Sequence, residues 1–261
     1  QYRFLEETGC LDNLRRAAGL KAGIPFRGRY YDDSDVFKWL EAVAWTLATE
    51  AAADLQGMAD AAITAIAAAQ RPDGYLNSYF ALERADERWT NLRDQHELYC
   101  AGHLIQAAVA HHRATGSPVL LEVARRLAAH IASVFGPAPG QRPGTPGHPE
   151  IEMALVELAR TTGERQPLEL AQFLLDMRGR GLIGGREYHL DHRPFRELPR
   201  LAGHAVRAMY LSAGATDLAL ETGEVGLRQA LERLWRHAAG HQLYVSGGAG
   251  SLRPADGAPA S

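Results

Sequence analysis

From Leu98 to Ala110 the chain carries no formally charged residue, yet His96, Cys100 and His103 fall at i, i+4 and i+7 along it. At about 100° per residue these three share one face of a helix. A surface helix sets an apolar stripe against a charged one. This one is apolar nearly all round and belongs in the interior. An interior helix that gives one face to two imidazoles and a thiol is wet on that face or lines a pocket. The rest of the chain reads as scaffold for it.

Upstream, Asp33-Ser34-Asp35 offers N-caps for a helix from about Val36 to Ala53, with Val36, Leu40, Val43 and Leu47 at helical spacing. A second helix over roughly Leu55–Ala69 stops at Gln70-Arg71-Pro72-Asp73-Gly74. Tyr75–Phe80 is irregular and rich in aromatics. The uncharged helix, from near Asp94 to Thr115, closes at Gly116-Ser117-Pro118, and Val119–Val134 follows as an amphipathic helix. Gly136–Gly147 holds four prolines and four glycines, the composition of a long loop.

The pattern then recurs. His148–Arg160 closes at Gly163, with Leu168–Met177 as its partner; Gly179–Arg196 is irregular; His204–Ser212 closes at Gly214, with Leu227–Ala239 after it. The closing glycines lie 47 (163 − 116) and 51 (214 − 163) apart. A period near 50 with two helices per unit predicts a ring or solenoid of helical hairpins. The apolar, histidine-bearing helix of each unit is the inner one and the amphipathic helix the outer. The fold class is therefore all-α, an α/α toroid.

His96, His148 and His204 each stand near the N-terminal end of an inner helix. If the inner helices run parallel, those ends meet at one mouth, and Asp94, Glu97 and Glu150 join them around a cavity. Any one of these histidines is equally explained as a capping or core imidazole bonded to a backbone carbonyl. Their recurrence at one place in three repeats is what points to a shared pocket. Positive helix N-termini favour neutral imidazoles, able to accept hydrogen bonds from hydroxyls. A metal is a poorer reading. His96-Glu97-Leu98-Tyr99-Cys100 imitates HExxH, but His103 lies two turns from His96, too far along one helix for a single ion.

A net charge of −3 over 261 residues gives no support to a nucleic-acid or membrane-surface role. Cys10 and Cys100, 90 positions apart, form no disulfide framework, which favours a reducing, cytoplasmic compartment. No apolar run reaches the roughly 18 residues of a membrane span. The chain opens on Gln1 and ends on PADGAPAS, so both ends read as cuts of a longer protein. The sequence does not speak to oligomeric state.

DDSDVFKWLEA (32–42), QRPDGYLNSYF (70–80), RWTNLRDQHELYCAGHLIQAAVAHHRATG (88–116), GHPEIEMALVELAR (147–160), GHAVRAMYL (203–211) and YVSGGAGS (244–251) run in one order across the chain. Together they resemble glycoside hydrolase family 127, the bacterial β-L-arabinofuranosidases. The resemblance implies an (α/α)6 barrel followed by β-sandwich domains, with residues 1–261 a partial barrel and the sandwiches absent. It implies that His96, His148 and His204 contact the furanose of a small carbohydrate substrate; independently of the family, Trp89 or Tyr75 is expected to border that cavity as a sugar-stacking aromatic. The family's general acid/base is a Glu shortly after a GGxGS turn. The nearest acidic residue here is Asp256, a loose match. The family's nucleophile is a cysteine held on zinc by two further cysteines and a glutamate, all downstream of this stretch; Cys10 and Cys100 do not match them. Zinc is thus implied for the full-length enzyme and no cofactor for this chain.

A retaining glycosidase needs an acid/base and a nucleophile on opposite faces of the sugar. This sequence supplies the sugar-gripping wall and one carboxyl. Two readings stay open: part of an exo-acting glycosidase for β-L-arabinofuranosides, or a shortened, non-catalytic carbohydrate-binding helical domain.

Overall fold

A computed structural model of the chain describes residues 1–250. The described residues form helices α1 (Tyr2–Thr8), α2 (Cys10–Ala17), α3 (Asp33–Leu47), α4 (Ala53–Ala69), α5 (Glu97–Thr115), α6 (Val119–Val134), α7 (Ile151–Thr162), α8 (Arg165–Met177), α9 (Ala205–Thr222) and α10 (Val225–His241). Among them there is no strand, only two isolated bridges, Phe135 with Arg142 and Leu243 with Ala249.

Helix composition decides position. α5 buries residues from Glu97 to His111 on every side, as its lack of charge requires. α6 instead buries Leu120, Leu121, Val123, Ala124, Leu127, Ala128 and Ile131, one stripe at helical spacing, and turns Glu122 and Arg125 outward. Each fully buried leucine or isoleucine of these stripes contributes about 1.5–3 kcal/mol. Accordingly α3, α5, α7 and α9 pack side by side as an inner row, and each packs on its returning partner α4, α6, α8 or α10. This is an arc of an α/α toroid. At its end α9 and α10 leave Met209 and Trp235 exposed beside an apolar groove lined by Leu201, Leu231 and Leu243.

The inner helices run in one sense. At their C-terminal ends Arg113 of α5 pairs with Glu157 of α7 at 2.7 Å, and Arg160 of α7 pairs with Asp217 and Glu221 of α9 at 2.8 and 2.6 Å. Their N-terminal ends meet on the opposite side. α5 and α7 stop at left-handed glycines, Gly116 (φ 73°) and Gly163 (φ 72°).

The third expected stop, at Gly214, is corrected: α9 continues to Thr222 and ends on Gly223, 60 (223 − 163) residues after Gly163. Gly214 lies inside the helix, where a Cβ would stand 2.9 Å from both Glu152 Cβ and Met153 N of α7. The glycine permits close helix packing, not a turn.

Candidate functional site

Three loops deliver the site to the N-terminal mouth of the inner row. His96 occupies the N-cap position of α5, His148 precedes α7 by three residues, and His204 is the N-cap of α9. Their rings come together: His96 and His148 centroids lie 5.6 Å apart, and His148 and His204 lie 6.2 Å apart. Half-buried aromatics close the rim. Tyr30 and Tyr31 lie 5.6 and 5.3 Å from His96, and Tyr188 lies 5.5 Å from His204. Tyr99 and Tyr210 stand 4.5 and 5.7 Å from His148.

Each histidine also bonds the backbone through Nδ1, and those bonds fix its tautomer; only His204 caps its helix through its side chain. His96 Nδ1 lies 2.6 Å from Asp94 O, and His148 Nδ1 lies 2.8 Å from Pro149 O. A carbonyl only accepts, so in both rings Nδ1 carries the hydrogen and Nε2 is left as an acceptor. His204 Nδ1 accepts the N–H of Arg207 at 3.4 Å, so its Nε2–H is a donor. Burial lowers the pKa of all three, His148 to about 3, and the imidazoles are neutral at pH 7. The three imidazoles thus offer two acceptors and one donor, a set matched to hydroxyl groups.

Tyr75, Trp89 and Glu97, also expected at the site, lie elsewhere. Tyr75 is fully buried, and Trp89 is nearly so. They pack on each other at 5.3 Å and on His130 at 5.5 and 6.0 Å, leaving no open face for a sugar. The aromatic rings beside the histidines are instead Tyr30, Tyr31, Tyr99, Tyr188 and Tyr210. Glu97 also turns away from the histidines: Tyr75 OH donates to Oε1 at 2.6 Å and Trp89 N–H to Oε2 at 2.8 Å. That carboxyl holds Trp89 in a left-handed conformation (φ 61°), and burial raises its pKa to about 7. Asp94 stays beside the mouth, as expected: it pairs with Arg93 at 2.9 Å and its charge reaches His96, Tyr30 and Arg207, while Glu150 lies below the mouth, completely buried. Asp256, the expected acid/base, lies outside the described residues.

Arg207 was not expected. It is 93 % buried (7 % exposed), and its guanidinium lies 4.4 Å over the Tyr188 ring. Its charge adds to burial in keeping His96, His148 and His204 unprotonated. Its position three residues after a capping histidine was the available signal, but a lone arginine in a helix reads as a surface residue.

Among the described residues no group of three or more His, Cys, Asp or Glu side chains is placed to hold a metal ion. The thiols do not suit zinc. Cys100 is buried and donates to Tyr31 O at 3.6 Å, Cys10 lies 3.2 Å from Thr8 Oγ1, and burial raises both pKa values, disfavouring the thiolate. No step of the chemistry is therefore routed through a metal held by these residues.

The sequence profile of the beta-L-arabinofuranosidase GH127 catalytic domain matches residues 3–258. A non-reducing end beta-L-arabinofuranosidase of Bifidobacterium longum subsp. longum is 36 % identical over 94 % of this chain and 41 % of its own length. The crystal structure of a GH127 beta-L-arabinofuranosidase from Geobacillus stearothermophilus T6 superposes with a TM-score of 0.89 at 42 % identity, over 96 % of this chain and 42 % of that one. A second GH127 beta-arabinofuranosidase structure gives 0.91 at 34 % identity, over 98 % and 41 %. The chain spans about two-fifths of the length of these relatives. It belongs to glycoside hydrolase family 127, through the family's catalytic domain.

Proposed function

We propose that this chain is the glycone-gripping portion of the α/α catalytic domain of a glycosidase that removes terminal β-L-arabinofuranosyl residues. The observation that carries the reading is the rim of three neutral imidazoles, with ring centroids 5.6 and 6.2 Å apart, presenting two acceptors and a donor. A furanose under about 10 Å across can bond all three at hydrogen-bond distances near 3 Å. Tyr99, Tyr188 and Tyr210 supply the apolar faces that a sugar ring packs against. The relatives named above are all arabinofuranosidases, which favours an enzyme over a free-standing sugar-binding module.

The division of labour follows. The histidines orient the sugar, and the rim tyrosines exclude water from its ring. Proton transfer at the glycosidic oxygen needs a carboxyl, for which Asp256 stays our candidate on sequence position alone. Nucleophilic capture of the anomeric carbon needs a group that Cys10 and Cys100 do not provide. Zinc belongs, on this reading, to the complete enzyme and not to these residues. Two free cysteines support a reducing, cytoplasmic setting, and no described helix is long and apolar enough to cross a membrane. The partner is a small carbohydrate, not nucleic acid or a membrane.

The test has two arms. Calorimetric titration of the 261-residue chain with methyl β-L-arabinofuranoside is expected to detect binding. Release of p-nitrophenol from its β-L-arabinofuranoside is expected only from a chain extended past Ser261, with zinc. Turnover by the short chain would overturn the assignment of the nucleophile; absence of sugar binding would overturn the reading of the pocket.

A further inference from the structure

Beneath the histidine rim lie two side chains whose polar atoms the pocket leaves unsatisfied. Glu150 is completely buried, and neither carboxyl oxygen has a hydrogen-bond partner among the described residues. His103, one helix turn below Tyr99 on α5, is 5 % exposed, and both of its ring nitrogens are unpartnered. His103 Nδ1 and Glu150 Oε1 are 3.6 Å apart. The carboxyl fits only because residue 102 is glycine: a Cβ there would stand 1.4 Å from Glu150 Oε2. The close approach is thus built by α5 and the N-terminal turn of α7 together.

A buried carboxylate needs donors, and this one has none. The N–H of Glu150 itself goes to Glu152 Oε2 at 3.2 Å, and Glu152 pairs with the buried Arg178 at 3.4 Å. Glu152 is therefore the carboxylate that answers the positive N-terminus of α7. The groups that face Glu150 are Lys38 and Glu41 from α3, Tyr99 and His103 from α5, Glu152 from α7 and Tyr210 from α9. Burial first, then the charges of Glu152 and Glu41, push its carboxyl well above the usual range, with Lys38 opposing. Burial holds His103 down to about 3. An ion pair at this place is disfavoured on both sides.

We propose that Glu150 keeps its proton and donates it to His103 Nδ1, making a neutral positioning pair that fixes Tyr99 and Tyr210 under His148. A shift of about half an ångström brings the two atoms within hydrogen-bond range. His103 then carries its own hydrogen on Nε2. Its ring stands edge-on to Tyr99 (4.5 Å, 84°) and to Tyr210 (6.1 Å, 90°), and both tyrosines contact His148. The four rings close a box, so the tilt of His103 sets the floor of the mouth. The inference rests on the furanose reading of that mouth, but its spectroscopic signature does not.

The experiment uses the 261-residue chain, Glu150→Gln and Glu150→Leu. In the infrared difference between wild type and Glu150→Gln at neutral pH, a protonated-carboxyl band is expected. Nitrogen-15 spectra are expected to give His103 as a neutral imidazole with Nε2 protonated, in wild type and in Glu150→Gln alike, because the amide still donates. Methyl β-L-arabinofuranoside is expected to bind Glu150→Gln within about threefold of wild type, and Glu150→Leu at least about tenfold more weakly. A carboxylate band alone, a doubly protonated His103, or a Glu150→Gln as weak as Glu150→Leu overturns the pair. If Glu150→Leu does not fold, the band and the His103 tautomer still decide. If wild type shows both signatures but binds no sugar, it is the furanose reading that fails.

Discussion

The histidines were legible in the sequence because each begins an apolar helix, a place where a charged or small polar cap is the commoner choice. Their roles differ once Nδ1 is accounted for. His148 sits between the other two and contacts both, so His148→Ala is expected to weaken furanoside binding by about 1–3 kcal/mol, the cost of leaving a polar partner unsatisfied. Calorimetry checks it, and an unchanged affinity would remove His148 from the site. Glu97 was grouped with the pocket for its neighbourhood in sequence, yet it faces the other way. Adjacent residues of a helix point about 100° apart, and nothing in the sequence said which would face Tyr75 and Trp89. Because Glu97 accepts the Trp89 N–H at 2.8 Å in a strained turn, Glu97→Gln swaps one acceptor oxygen for a donor. The change is expected to cost about 1–3 kcal/mol of stability, read from urea unfolding.

At the scale of the element, charge pattern sorted inner helices from outer ones correctly, and the failure at Gly214 has a specific cause. Glycine ends a helix through a left-handed φ, but it also lets two helices approach, and a single sequence does not separate these uses. Gly223, not Gly214, takes the left-handed conformation here, with φ 68°. α1 and α2 are short and meet at the left-handed Gly9 (φ 87°), too short for a helical period to stand out in the sequence. The two glycines make opposite predictions. Gly214→Ala places a methyl 2.9 Å from Met153 N, a backbone atom that has no rotamer to change, and overpacking of this kind costs about 1–3 kcal/mol. Gly223→Asn keeps a residue that tolerates the left-handed region and meets nothing within 4 Å, so it is expected to cost well under about 1 kcal/mol. Equal losses in chemical denaturation would contradict the placement of α9.

Across the whole molecule, the clustering of imidazoles at one mouth makes acid stability a property of the fold. Burial depresses the pKa of His96, His103, His111, His130, His148, His189 and His204, with His103 and His148 near 3 and His189 near 4. An unfolded imidazole titrates near 6.5, so between those folded values and about 6.5 the unfolded chain binds the extra protons. Stability then rises with pH in that window and is lost as the pH falls through it. Four carboxyls, three of them buried, act in the opposite sense. Asp33 is raised to about 6 and Glu97 to about 7, with Asp35 and Glu150 also raised, so the folded state holds protons that the unfolded state has released. Their contribution is complete below about 4 and disappears as the pH climbs through the raised values. Seven imidazoles outnumber four carboxyls, and the balance below about 6.5 is set by the imidazoles. Above it the imidazoles are neutral in both states, and Glu97 and Glu150, joined toward the alkaline end by Cys10 and Cys100, favour lower pH. The expected profile has its maximum near neutrality, a steep acid limb and a shallow alkaline one. Thermal unfolding of the 261-residue chain at half-unit steps from pH 4.5 to 8.5 measures it directly. Glu97→Gln is expected to flatten the alkaline limb while leaving the acid limb in place, since the amide does not titrate. A profile without an acid limb would mean that the imidazoles at the mouth accept protons freely, and neutral histidines could then no longer serve as acceptors for the sugar.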